Sequence, residues 1–161
     1  MKGRSAGLAA IGAVLGLALG SPAAAQEDCE GGPPKTGGAK LSVQVTDVRR
    51  AEGEIAVTIY PDDPRRFLAK RGKLLRQRVA AEAPTTSTCF WLPTAGVYAV
   101  AVYHDANGDR DFDRNRVGLP LEGFGFSNDA PTKTGLPSFD SVRFRVKAGS
   151  NPLRIRLRYV R

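Results

Sequence analysis

Apolar side chains in this chain fall at every second position over long stretches, and that spacing constrains the fold more than any other feature. Leu41, Val43 and Val45 alternate with Ser42 and Gln44, then Ile55, Val57 and Ile59 repeat the pattern, and Phe90 and Leu92 continue it. A period of two puts successive side chains on opposite faces of a strand, so each run buries one face and wets the other. Gly96 to Tyr103 is apolar on both faces and reads as a central strand. Near the C-terminus Val142, Phe144 and Val146 alternate with Arg143, Arg145 and Lys147, and Leu153, Ile155, Leu157 and Tyr159 alternate with Arg154, Arg156 and Arg158. Ala148 to Asn151 between them reads as a hairpin turn. One stretch departs from the pattern: Pro64 to Arg78 predicts a short helical turn around Phe67 and Leu68, ended by Gly72, before a strand over Leu75 to Ala80. The sum is about seven strands at the spacing of an antiparallel sandwich. With no βαβ alternation, internal repeat or heptad, the sequence predicts an all-β, single-domain Greek-key sandwich.

The first quarter predicts a compartment. Lys2 and Arg4 precede an apolar stretch from Ala6 to Gly20, and Ser21 to Ala25 carries the small-x-small pattern read by signal peptidase. Residues 1–25 are therefore expected to be a signal peptide. An uncleaved anchor is the competing reading, but the apolar stretch has 15 residues, short of the roughly 20 that span a bilayer. Cleavage after Ala25 leaves an exported protein, periplasmic or extracellular, with no further transmembrane segment and a net charge lowered from +8 to +6. No Cys stands at the cleavage point, which argues against a lipoprotein. Residues 26–39, rich in Gly and Pro, read as a flexible lead-in to a domain over 40–161.

Export makes the two cysteines, Cys29 and Cys89, a natural disulfide. The alternative, a Cys89 nucleophile served by His104, has no protease signature around it. The chain holds a single His, which excludes every catalytic or zinc scheme that needs two.

Chemistry concentrates after the central strand, where Asp105, Asn107, Asp109, Asp111 and Asp113 present oxygens at alternate positions. That spacing suits one hard cation, calcium first, as in the opening half of an EF-hand loop. Arg110 stands where that loop wants Gly, and Arg116 where it wants a closing Glu, so Asp113, or Glu122, Asn128 or Asp129, would have to complete the shell. Two other readings stay open. The loop's own Arg110, Arg114 and Arg116 would neutralise its acids, or Asp111, Asp113 and Glu122 would act as acid and base in a small carbohydrate-active or other hydrolase. His104 beside the cluster reads as a hydrogen-bonded strand-end residue rather than a base.

These residues carry a resemblance. Val102 to Asp109 (Val-Tyr-His-Asp-Ala-Asn-Gly-Asp), then Val117 to Asn128 with its Glu-Gly-Phe-Gly-Phe-Ser-Asn ending, resemble the signature of domain-of-unknown-function family 2141. Leu92 to Val100 and Pro137 to Asp140 resemble it too, so the likeness runs from about Leu41 to Tyr159. It implies an immunoglobulin-like or prealbumin-like sandwich, exported, with no established activity. The family's Asp-x-Asn motif falls on Asp105, Asn107, Asp109 and Asp113.

Two further features bear on partners. Val117 to Ser138, with four Gly and three Pro, predicts a long ordered loop anchored by Phe124 and Phe126. It either closes the end of the sandwich, with Phe126 in the core, or forms a ligand-binding lip beside the Asp cluster. Arg143, Arg145 and Lys147 facing Arg154, Arg156 and Arg158 would make a basic face. An anionic envelope polysaccharide or lipopolysaccharide fits that face, a solvated surface is the alternative, and nucleic acid is not expected. The sequence thus predicts an exported, monomeric, non-catalytic envelope module with a cation-stabilised loop, a hydrolase being the alternative.

Overall fold

The computed structural model describes residues 29–33, 38–133 and 135–160. The predicted signal peptide, residues 1–25, lies outside them, as do 26–28 and 34–37 of the lead-in. The described residues form two sheets. In the first, β1 (Ala39–Thr46) lies between β4 (Thr85–Leu92), antiparallel, and β8 (Gly149–Arg156), parallel. In the second, β2 (Glu54–Pro61) lies between β3 (Leu75–Ala80) and β5 (Gly96–Asp105), and β6 (Gly123–Phe126) follows β5, all antiparallel. β7 (Phe144–Val146) pairs with Gly96 to Tyr98, and β6 with Ala101 to His104. Since β2 already takes the other side of Tyr98, β6 and β7 share one edge of β5 end to end. Among the described residues eight strands therefore fill seven positions, with one parallel pair of strands in an otherwise antiparallel sandwich.

The period-two residues form the core the sequence predicts: Leu41, Val43, Val45, Ile55, Val57, Ile59, Phe90, Leu92, Val100, Val102 and Ile155 are buried between the sheets. The N-terminal segment is tied to β4, with the Glu30 N–H bonded to the Cys89 carbonyl and the Trp91 N–H to that of Glu30, at 3.0 and 2.8 Å. The Cys29–Cys89 disulfide closes a separation of 60 residues there, a cross-link worth about 4 kcal/mol on the chain-entropy account.

Two local expectations are corrected. Around Phe67 and Leu68 the chain makes successive tight turns instead of a helix, with Arg66 N–H on Asp63 O, Ala69 N–H on Arg66 O and Gly72 N–H on Ala69 O. Leu68 turns left-handed (φ 57°), which ends any helical run. A side chain at Gly72 would put Cβ 1.7 Å from the Arg66 carbonyl, so the turn needs Gly. The second correction is the basic hairpin: β7 and β8 lie in different sheets. Asn151 explains the crossover, because its side chain accepts from Lys147 N–H and donates to the Lys147 and Gly149 carbonyls, taking groups a hairpin ladder would have paired.

The second sheet is also covered on its outer face. Tyr60, Ala99, Phe124, Phe126, Ala130, Phe139 and Val142 form a separate buried cluster, with Phe67, Ala101, Tyr103 and Phe112 packed on it. Covering it are the turns of 62–74 and the excursion between β6 and β7, which holds a 3-10 turn (Ser127–Asp129) and the short helix α1 (Phe139–Val142). This is why β2 is buried on both faces, not on one.

Candidate functional site

Alternation along β5 turns Ala99, Ala101, Tyr103 and Asp105 toward the outer face, and Asp105, at its end, is fully buried. A buried carboxylate needs a cation and hydrogen bonds. Arg78, on β3, supplies the cation: its guanidinium reaches Asp105 Oδ2 at 2.7 Å, with Glu54 beside it at 3.5 Å. The same guanidinium donates to the Tyr103 hydroxyl and, at 3.0 Å, to the Arg110 carbonyl. Asp105 Oδ1 accepts the Gly108 N–H at 2.8 Å, and Oδ2 the Arg110 N–H at 2.9 Å. Arg78 thus ties β3, the end of β5 and the Asp-rich loop together. Burial alone would lower the Arg78 pKa, but Tyr103 and Asp105 outweigh it and the charge is held more firmly than usual.

The rest of the loop is wound on its own backbone. Asp109 N–H bonds to Asn107 Oδ1 and Asp111 N–H to Asp109 Oδ1, at 3.2 and 2.9 Å. The Asn107 amide donates to Asp109 and Asp113, at 2.8 and 3.1 Å. Glu122 closes the far side, accepting from Ala106 N–H and Asp113 N–H. Burial pushes the Glu122 pKa up, with the negative charges of Asp105 and Asp113 adding to it against those two hydrogen bonds. Arg110 is left-handed (φ 69°), the conformation for which an EF-hand uses Gly at this place.

These residues fit a calcium loop only in part. Of the five candidate ligands, Asp105 is taken by Arg78 and two N–H groups, whereas Asn107, Asp109 and Asp111 are exposed and Asp113 half-buried. Among the described residues no three Asp, Glu, His or Cys side chains converge as a metal cluster. Asn128 and Asp129 are engaged elsewhere, Asn128 with the Ser141 and Arg143 carbonyls and Asp129 with Arg156. Nor do the loop's own arginines neutralise it: among the described residues no ion pair joins Arg110, Arg114 or Arg116 to its acids. The neutralising cation comes from β3.

His104 faces the opposite way, into the sandwich, and is 1% exposed. Its Nε2 lies 2.8 Å from the Glu52 carbonyl, which only accepts, so Nε2 carries the proton. Nδ1 lies 2.9 Å from the Tyr159 hydroxyl, which itself accepts from the Arg49 N–H. Both ring nitrogens are engaged, Nε2 with the turn before β2 and Nδ1 with the C-terminal segment, and Cys89 is in the disulfide.

Phe112, at the loop's far end, folds back over the outer face, its ring 5.6 Å from that of Tyr103 and 5.8 Å from that of Phe124. The Asp-rich loop so becomes one wall of an open cleft of about 500 Å3 on that face. Its floor is Tyr60, Tyr103, Phe112, Phe124 and Phe126, and Leu68, Leu119, Leu136 and Val160 stand exposed at its mouth. A second open groove, of about 600 Å3, has the polar lining of Ser42, Gln44, Gln77, Thr88 and Arg154.

The six residues of the predicted basic face are not brought together. Arg143, Arg145 and Lys147 flank or belong to β7, Arg154 and Arg156 belong to β8 in the other sheet, and Arg158 is pulled to β6, where its guanidinium holds the Ala130 and Asp129 carbonyls. Sequence reading missed Arg78, Tyr103 and Phe112 as site residues. Arg76 and Arg78, two apart in a strand, were the available signal, since they must share a face.

No curated protein and no solved structure matches this chain. The family model of DUF2141, described as an uncharacterized protein conserved in bacteria, matches residues 43–154, which takes in the Arg78 brace and almost all of the cleft. The chain therefore belongs to the DUF2141 family.

Proposed function

We propose that the protein is an exported, non-catalytic binding module whose working surface is the outer face of its five-stranded sheet. The observation that carries this is the open aromatic cleft, walled by a loop whose inward carboxylates, Asp105 and Glu122, are committed to backbone N–H groups and Arg78. A hydrolase needs an acid and a base free to move protons, which favours binding over the carbohydrate-active alternative. Export is supported by the disulfide. Arg154 and Arg156, both exposed, suit a protein working among anionic envelope polysaccharide or lipopolysaccharide.

The test is binding of a neutral solvatochromic dye. The wild type is expected to take up one dye with a blue-shifted emission. Leu136→Asp, at the exposed mouth, is expected to weaken uptake at least roughly tenfold, or about 1.4 kcal/mol, with an unchanged circular dichroism spectrum. Equal uptake by the two proteins would contradict the reading. Calcium has a second place in this proposal, because Asp109 and Asp113 both converge on the Asn107 amide. The ion would be held at that exposed end and not by Asp105.

A further inference from the structure

We infer that the cleft takes a single-chain anionic amphiphile, its acyl chain on the aromatic floor and its carboxylate or phosphate head among Arg76, Arg114 and Lys133. This rests on the binding-module reading and names the ligand class of that same surface. Charge is the first argument. In a chain with 16 acidic residues, the cleft is lined by Arg76, Arg114, Lys133 and Arg158 and by not one carboxylate among the described residues. Arg158 is occupied by the Ala130 and Asp129 carbonyls. Arg76 gives one N–H to Thr58 Oγ1, at 2.8 Å, and shares another contact with Tyr60. Arg114 lies over the Phe112 ring, 5.1 Å from its centroid, with a long contact to the Gly118 carbonyl. These cations face a low-dielectric aromatic surface without counter-ions among the described residues, a setting that favours an anion delivered by a ligand.

The apolar surface is the second argument. Leu119 is 48% and Leu136 59% exposed where they flank the floor, and apolar side chains grouped at the mouth of a cleft mark a surface that is covered in use. The volume of about 500 Å3 falls within the range of single small-molecule sites. A sugar or nucleotide fits poorly, since Phe112, Phe124 and Phe126 pack edge-on to one another and offer no flat stacking platform. The Tyr103 hydroxyl is already held by Arg78 and the Arg110 carbonyl. A neutral lipid would leave the cations unanswered.

Calorimetry with dodecanoate and dodecanol, both below their aggregation limits, tests the inference. Dodecanoate is expected to bind one per chain, at least roughly tenfold more tightly than dodecanol, given a charge-assisted contact. In a series of eight-, ten- and twelve-carbon carboxylates the affinity is expected to rise about fourfold per methylene. Arg76→Ala is expected to lower dodecanoate affinity toward that of dodecanol while leaving dodecanol binding unchanged. Lys133→Glu, at an exposed position, is expected to do the same without risk to the fold. Equal affinities for acid and alcohol would overturn the anionic part while the module reading stands. Loss of both with dye uptake retained would overturn the amphiphile, and loss of dye as well would overturn the module reading itself. Vesicles with and without anionic phospholipid separate the sources: binding to anionic vesicles but not to dodecanoate would make this a membrane-docking surface and overturn the inference.

Discussion

Asp105 is fully buried, and its charge is tolerable because Arg78, whose side chain is 16% exposed, meets it at 2.7 Å. Removing one partner of such a pair strands the other and typically costs 3–5 kcal/mol. Arg78→Ala is therefore expected to destabilise the protein by about 3 kcal/mol in urea unfolding, with and without millimolar calcium. Arg78→Lys should recover little, since an ammonium lacks the fork that reaches Asp105, Tyr103 and the Arg110 carbonyl together. Full rescue of Arg78→Ala by calcium would show that an ion, and not the guanidinium, fixes the loop. The acidic pattern from Asp105 to Asp113 was legible in the sequence because oxygen-bearing residues at alternate positions are local. The partner was not, because Arg78 stands 27 residues upstream and meets Asp105 only through the pairing of β3 with β2 and of β2 with β5.

β6 shows how an element hides in composition. Gly123 to Phe126 reads as loop because two of its four residues are Gly, yet it is a fully buried edge strand. Its glycines face inward because no room remains: a Cβ at Gly123 would lie 2.4 Å from the Tyr159 ring, and one at Gly125 2.6 Å from the Arg156 carbonyl. Its phenylalanines face outward and build the floor of the cleft. Gly123→Ala is accordingly expected to destabilise by about 2 kcal/mol, as overpacking does, and to disturb the Tyr159–His104 hydrogen bond. A tyrosine ultraviolet signature and unfolding midpoint identical to wild type would count against that packing. Strands β1 and β2 were legible because period two is written in Val, Ile and Leu, and β5 because a run apolar on both faces reads as a central strand. The turns at Phe67 were misjudged because a left-handed Leu68 leaves no mark in composition.

At the scale of the molecule, alternation specified two sheets and one core, and the excess of positive charge pointed to a basic surface. What it did not specify is that the five-stranded sheet has a second, outer layer. Phe67, Phe112, Phe126 and Phe139 come from four separate segments, and none is periodic with the others. Their convergence leaves a cleft lined, among the described residues, by cations and no acids, and bounded by the loop that Arg78 braces. The segment from Val117 to Ser138 was read either as closing the end of the sandwich with Phe126 in the core or as a lip beside the Asp cluster; Phe126 is buried, but in the outer cluster and not between the sheets. The most direct measurement is an amide and aromatic NMR titration of the protein with dodecanoate. Shifts concentrated on Tyr103, Phe112, Phe124 and Leu136 are predicted. Shifts confined to the polar groove of Ser42, Gln77 and Thr88, or none at all, would contradict the assignment of this face as the working surface.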